Sequence, residues 1–447
     1  MQADTSNEAG SIEARAYARV GRKLLPFLFV LYVVAYLDRI NVGFAALQMN
    51  RQLGLSEAVF GFGAGIFFVG YFILEIPSNL LLQRIGARVW ISRIMISWGI
   101  VALAMMLTRG SRSFYLLRFM LGAAEAGFFP GIIFYLTRWF TARERAHAIS
   151  YFMTATQIAG VIGGPLSGLL LAMNGVWGLA GWQWLFLAEG LPAVMLGVAV
   201  AGYLPDGPGD ANWLTSDERQ RLLLNLAAEQ GGRTEAGHTL RDALTSARVW
   251  LLTLLYFTIV FGHYGIALWL PQLLKTFGGL SDLKVGCLSS IPFLVAAVAM
   301  VLVAKHSDST QERRWHLALS AFIGGIALAA CAGGRTALFS LVTISIAAAG
   351  VSSTAGPFWT LPSEFLDGAA AAGGIALINS IGNLAGFVGP SVVGLIRQLT
   401  HSFAGGLGAM AAAVLIAGII ALALPHQRRL LQVKPVLEEL ETVSKLP

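Results

Sequence analysis

Charge is scarce in this chain. Asp, Glu, Lys and Arg make up 12% of its 447 residues, while 56% are apolar. A soluble domain carries about 25% charged residues, so the balance excludes an ordinary water-facing surface. Cysteine is nearly absent: Cys287 and Cys331 both fall in apolar stretches, which excludes a disulfide framework. Gly-x-x-x-x-Gly-Lys phosphate loops, His-Glu-x-x-His and paired Asp clusters for a metal-diphosphate substrate are missing too. Their absence argues against an ATP-driven pump and a membrane-embedded enzyme, and no metal or cofactor is expected. Met1–Ala18 is polar, without the apolar core and small-residue site of a cleaved signal peptide.

Long apolar blocks are what the chain has in abundance. A helix needs roughly 20 apolar residues to cross the hydrocarbon layer, because lipid cannot hydrogen-bond a bare backbone. Twelve such spans are expected, near 24–48, 57–82, 89–108, 113–137, 146–172 and 184–204, then 249–274, 284–304, 316–333, 336–362, 370–397 and 405–424. The intervening 205–248 reads as a cytoplasmic linker between two six-helix halves, 24–204 and 249–424, with cytoplasmic tails at 1–23 and 425–447. With both termini in the cytoplasm, 22 of the 31 Lys and Arg fall on the cytoplasmic side. Arg51, Arg109, Arg112, Lys275, Lys284, Arg335 and Arg397 fall outside, and the remaining two lie inside helices. That asymmetry follows the positive-inside rule and accounts for the net charge of +7 without nucleic acid.

The halves repeat each other. Gly54-Leu55-Ser56 recurs as Gly279-Leu280-Ser281 at a shift of 225, which also superposes Gln83 on Asp308, Arg88 on Arg313 and Trp90 on Trp315. Pro130 matches Pro357, and Ala159-Gly160 with Gly163 matches Ala385-Gly386 with Gly389. An even number of spans per half makes the repeats parallel. In such folds substrate binds near the midplane between the halves, which rock against each other.

Ionisable residues at membrane depth cost roughly 2.5–3.5 kcal/mol each to insert, so they point to function. Here they are Asp38, Arg39, Glu75, Arg118, Glu125 and Glu189. Asp38 and Arg39 lie near mid-bilayer and, as adjacent helical residues, point about 100° apart. Arg39 can offer a carboxylate two parallel bonds from its planar fork, and Asp38 can titrate. An Arg claimed alternately by a protein carboxylate and by substrate is a physical route to proton coupling. Arg118 and Glu125, seven apart, share a helix face about 10 Å apart along the axis. Glu75 and Glu189 precede prolines and read as helix-end packing or gate contacts. By the repeat, His263 is the counterpart of Asp38 and Tyr264 that of Arg39. His263, Gln157, Asn379 and Asn383 are candidate substrate ligands, with Tyr36, Tyr71 and Trp359 as candidate cavity aromatics. Each also has an ordinary structural role open to it, an amide bridge or interfacial packing. The glycines of 160–168 recur in the eleventh span and read as packing elements.

The segment Asn79–Arg88 resembles the Gly-x-x-x-Asp-Arg-x-Gly-x-Arg loop of the major facilitator superfamily, with Asn79 and Gln83 departing from it. The second copy keeps Asp308 and Arg313, so Arg84, Arg88, Asp308 and Arg313 are expected in a gate or loop motif. Tyr36-Leu37-Asp38-Arg39-Ile40-Asn41-Val42-Gly43, with Arg118-x-x-x-Gly122-x-x-Glu125-Ala126-Gly127-Phe128-Phe129-Pro130-Gly131, resembles the anion:cation symporter family. The resemblance spans the whole chain. It implies an all-α, twelve-helix fold and proton-driven uptake of a small organic anion, a hydroxy-dicarboxylate or sugar acid such as tartrate, an aldonate or an aldarate. It further implies Glu125 as a proton site under the electrostatic control of Arg118, a functional monomer, and a bacterial inner membrane. The alternatives are a carrier of an aromatic acid such as phthalate, and a metabolite exporter or exchanger, against which Arg39 argues.

Overall fold

The computed structural model describes residues 2–231, 245–334, 336–365 and 368–424. The expected tail 425–447, Arg335 and linker residues 232–244 lie outside the described residues. Twelve helices are long and apolar enough to cross a membrane, and among the described residues there is no strand. They are α1 (Ser11–Leu53), α2 (Glu57–Ile85), α3 (Ala87–Leu107), α4 (Ser111–Thr137), α5 (His147–Ala172) and α6 (Gly181–Tyr203), then α7 (Ala247–Lys275), α8 (Asp282–Thr310), α9 (Arg314–Ala332), α10 (Ala337–Pro362), α11 (Gly374–Thr400) and α12 (Ala404–Ala423).

Apolar content locates the lipid-embedded part of a helix, not its ends. The helix that contains α1 starts at Gln2, well before the apolar run. Its forward extension is rich in helix-forming Ala, Glu and Arg. It is pinned by Tyr17 stacking on Phe140 and by an Arg19–Glu218 ion pair to the linker helix Ser216–Gly231 at 3.0 Å.

Span α4 is broken. Its first segment stops at Glu125, and Gly127, at φ +87°, starts a second at Phe128. Only glycine fits there: the φ is left-handed, and a Cβ would lie 2.3 Å from Ser78 Oγ. The repeat carries the break into α10, where one segment ends at Ser353 and another starts at Ala355.

The halves meet along three helix pairs, α1 with α7, α2 with α11 and α5 with α8. Contact is tightest at the membrane face opposite the chain termini. There a Cβ on Gly164 of α5 would lie 2.3 Å from the Gly286 carbonyl oxygen of α8, and one on Gly286 equally close to that of Gly164. Small residues let backbones approach where lipid supplies no hydrophobic drive. Polar groups reinforce this end: Gln48 donates to Asp282 at 2.8 Å, and Glu57 pairs with Arg397 at 3.0 Å. At the terminal face, among the described residues, the ion pairs stay within one half or reach the linker helix. Arg88 pairs with Asp206 at 3.6 Å and Arg313 with Asp308 at 2.5 Å. The protein is therefore closed on the opposite face.

If the Gly164–Gly286 contact is that closure, Gly164→Val forces the halves apart there, at a cost of the order of 1–3 kcal/mol for overpacking. A cysteine introduced by Gln48→Cys, with Cys287 and Cys331 replaced, should then react about tenfold faster with an impermeant maleimide added on that side. Unchanged labelling would remove the contact from the closing mechanism.

Candidate functional site

At the centre of the interface, Arg39 of α1 reaches Glu125 at the end of the first α4 segment. Its Nε donates to Glu125 Oε1 at 3.0 Å, and Nη2 bonds the same oxygen. The third arm, Nη1, crosses to the other half and donates to the Tyr264 hydroxyl of α7 at 3.2 Å. The guanidinium also lies 5.5 Å from the ring centre of Phe67 and 5.3 Å from that of Tyr71. The Glu125 side chain is fully buried and that of Arg39 is 11% exposed. A buried carboxylate at the C-terminal end of a helix segment faces both desolvation and an unfavourable dipole. Arg39 offsets both, while Glu125 Oε2 has no partner.

Arg118 is buried on the same face of α4 but does not bond Glu125. Its Nη2 donates to the Ala64 carbonyl at 2.9 Å, its guanidinium lies 5.0 Å from the Phe67 ring centre, and Nε and Nη1 are unpartnered. Both cations thus lie against Phe67.

Asp38 points away from Arg39, into its own half. It accepts from Trp98 Nε1 of α3 at 2.9 Å and from Asn41 at 3.5 Å, and Asn41 also bonds Glu189 of α6. The carboxylate that holds Arg39 is therefore Glu125, and Asp38 belongs to a separate buried cluster.

Further polar contacts join the halves around Arg39. Tyr36 and His263 bond through the hydroxyl and Nε2 at 2.6 Å. Glu75, one turn beyond Tyr71 on α2, accepts from Asn379 at 3.0 Å and from Ser380 at 2.8 Å, both on α11. Asn383 donates to Asn379 at 3.1 Å, completing a short amide chain. Gln157 is buried with its side-chain oxygen unpartnered. Trp359 packs edge-on against Tyr256, ring centres 5.0 Å apart.

Arg39, Tyr36, Tyr71, His263, Asn379 and Asn383 are thus gathered along one interface. Among the described residues, Gln157 and Trp359 make no polar bond to that set, and Arg84, exposed at the terminal face, stands apart from it. Phe67, Ser380 and Trp98 join the site although the motifs in the sequence do not single them out. The spacing of Phe67 and Tyr71, four apart on one helix face, was a usable signal for the first. Nothing local marks the other two.

Two six-helix halves, closed at one face and joined at the centre by a buried cation with polar groups from both sides, define a membrane transporter. The chain belongs to the Major Facilitator Superfamily, whose family model matches residues 28–390. A protein of Agrobacterium vitis provisionally named a tartrate transporter is 50% identical over 92% of this chain and 92% of its own length. A quinolone resistance transporter of Acinetobacter baumannii is 44% identical over 86% and 89%. The inner membrane transport protein RhmT of Escherichia coli is 37% identical over 92% and 95%. Among solved structures, a bacterial homologue of the human lysosomal transporter Spinster superposes with a TM-score of 0.73 at 18% identity, covering 90% of this chain and 96% of that one. The xylose transporter XylE of E. coli gives 0.68 at 16% identity, covering 93% and 99%. These two likenesses show the fold. The relatives are transporters, not enzymes.

Removing one partner of a buried ion pair leaves an uncompensated charge, at about 3–5 kcal/mol. Arg39→Ala should therefore lower the thermal unfolding temperature in detergent, and Glu125→Gln added to it should restore most of the loss. Equal stability of Arg39→Ala with and without Glu125→Gln at alkaline pH, where Glu125 stays ionised, would mean that the pair does not form.

Proposed function

We propose that the protein imports a small organic anion together with a proton, by rocking its two halves about Arg39. The observation that carries this reading is the fork of Arg39, held by Glu125 and touching Tyr264 of the other half. A substrate carboxylate competes with Glu125 for that fork. Once displaced, Glu125 is a buried carboxylate without its cation, and taking a proton removes the cost. Substrate and proton then favour each other's binding, which is what symport requires. Arg118, against Phe67, contributes positive charge that limits when the proton stays. Asp38, in its cluster with Asn41 and Glu189, is the second proton site. Energy comes from the proton gradient, with no cofactor.

A hydroxy-dicarboxylate or sugar acid, such as tartrate, an aldonate or an aldarate, suits the remaining groups best. Tyr36, His263, Gln157, Asn379 and Asn383 offer bonds to hydroxyls, with Tyr71 and Trp359 as aromatic walls. The relatives named for tartrate favour the same class. The family resemblance supports a functional monomer in a bacterial inner membrane, and the Lys and Arg distribution supports placing both termini in the cytoplasm. A second reading, export, draws on the relative named for quinolone resistance.

The test is uptake into liposomes of tartrate, galactonate, glucarate and phthalate, with and without an inward proton gradient. One acid should accumulate on the gradient, the more so as external pH falls. Arg39→Ala should lower uptake about 100-fold or more, as for the loss of about 3 kcal/mol of binding. Glu125→Gln should lose gradient-driven accumulation yet keep counterflow. Uptake indifferent to both the gradient and Arg39 would sink the symport reading. Proton-driven extrusion of a quinolone by vesicles that ignore all four acids would put the export reading in its place.

A further inference from the structure

A second cationic feature lies outside the transport path. Where α1 enters its apolar run and α6 ends, a cavity of about 520 Å³ opens at the terminal face, lined by Arg19, Arg22, Lys23, Tyr203 and Trp213. Arg19 is already engaged, by Glu218 at 3.0 Å and by the Trp213 carbonyl at 3.2 Å. Among the described residues, Arg22 donates only to the Ala18 carbonyl of its own helix, at 3.3 Å. Among the described residues neither Arg22 nor Lys23 pairs with a carboxylate, so the cavity carries two uncompensated positive charges. Its walls are fixed: Tyr203 donates to the Lys23 carbonyl at 3.0 Å, and Trp213 stacks on Trp139 with ring centres 5.7 Å apart.

What lies below the cavity decides between possible anions. Arg19, Arg22, Lys23, Pro26, Phe27 and Val30 recur at helical spacing on one face of α1, cationic first and apolar after. Phe27 meets Tyr203 at 4.5 Å between ring centres, directly beneath the cations. From there apolar side chains continue towards the membrane core, with Val30 46% exposed on α1 and Met195 64% exposed on α6. A soluble anion has no use for those side chains, whereas acyl chains do.

We propose that this cavity binds the phosphate headgroup of an anionic phospholipid whose acyl chains lie along the α1–α6 groove. The phosphate sits between Arg22 and Lys23, the glycerol region sits against Tyr203 and Phe27, and Trp213 closes the water side. The lipid thereby ties the forward extension of α1, the end of α6 and the linker into one unit. Basic pockets between membrane helices recognise such headgroups by this chemistry.

The full-length protein in neutral detergent would be titrated with phosphatidylglycerol and, separately, phosphatidylcholine, with bound lipid counted by native mass spectrometry. Wild type should retain phosphatidylglycerol selectively. The double variant Arg22→Gln/Lys23→Gln should bind it about thirtyfold more weakly, at about fivefold per cation. Arg22→Lys/Lys23→Arg should keep the affinity, and so should Arg112→Gln/Lys284→Gln, which removes the same charge from the opposite face. If the double variant unfolds, the single variants carry the test. Equal retention of the two lipids, an equal loss in the opposite-face variant, or displacement by excess inorganic phosphate as readily as by phosphatidylglycerol would each overturn the proposal.

Discussion

Everything at the centre of this transporter depends on one buried ion pair, Arg39 with Glu125. Neither group can sit where it does alone. Glu125 ends a helix segment, where the backbone dipole disfavours a negative charge, and it is shielded from water. Arg39 brings the opposite charge, and its planar fork leaves one arm free to cross to Tyr264. The break at Gly127 that ends the segment is thus part of the same arrangement. A continuous helix would turn Glu125 into one more residue on a long face, with no helix end beside it.

The two faces of the protein are held by different physics. The closed face relies on backbones brought into contact by glycine, with Gln48–Asp282 and Glu57–Arg397 as polar reinforcement. The centre relies on charges and hydroxyls that can exchange partners, and Glu75 continues this towards the terminal face by taking both Asn379 and Ser380. Close packing has two good states, together or apart, whereas hydrogen bonds can be handed from one acceptor to another. A transporter needs both: a gate that is either shut or open, and a site whose bonds a substrate can replace.

Much of this was legible in the sequence. Twelve apolar runs and a shift near 225 gave the spans and the parallel halves, because lipid enforces length and composition more strictly than water does. The same shift set Tyr264 opposite Arg39, and the two are in contact. Side-chain direction was not legible. Asp38 and Arg39 are neighbours in sequence, yet one faces Trp98 inside its half and the other faces the interface. Which carboxylate Arg39 holds depends on the rotation of α1 against α3 and α4, which no spacing within α1 encodes. The forward extension of α1 escaped too, since a hydropathy window ends where lipid ends, not where the helix does.

In the proposed mechanism, substrate displaces Glu125 from Arg39 and the displaced carboxylate takes up a proton. The most direct measurement is the pH of a weakly buffered solution of purified protein when the transported acid, previously brought to the same pH, is added. Wild type should take up as much as one proton per protein, and Glu125→Gln none. Proton release, or an uptake that survives Glu125→Gln unchanged, would contradict it.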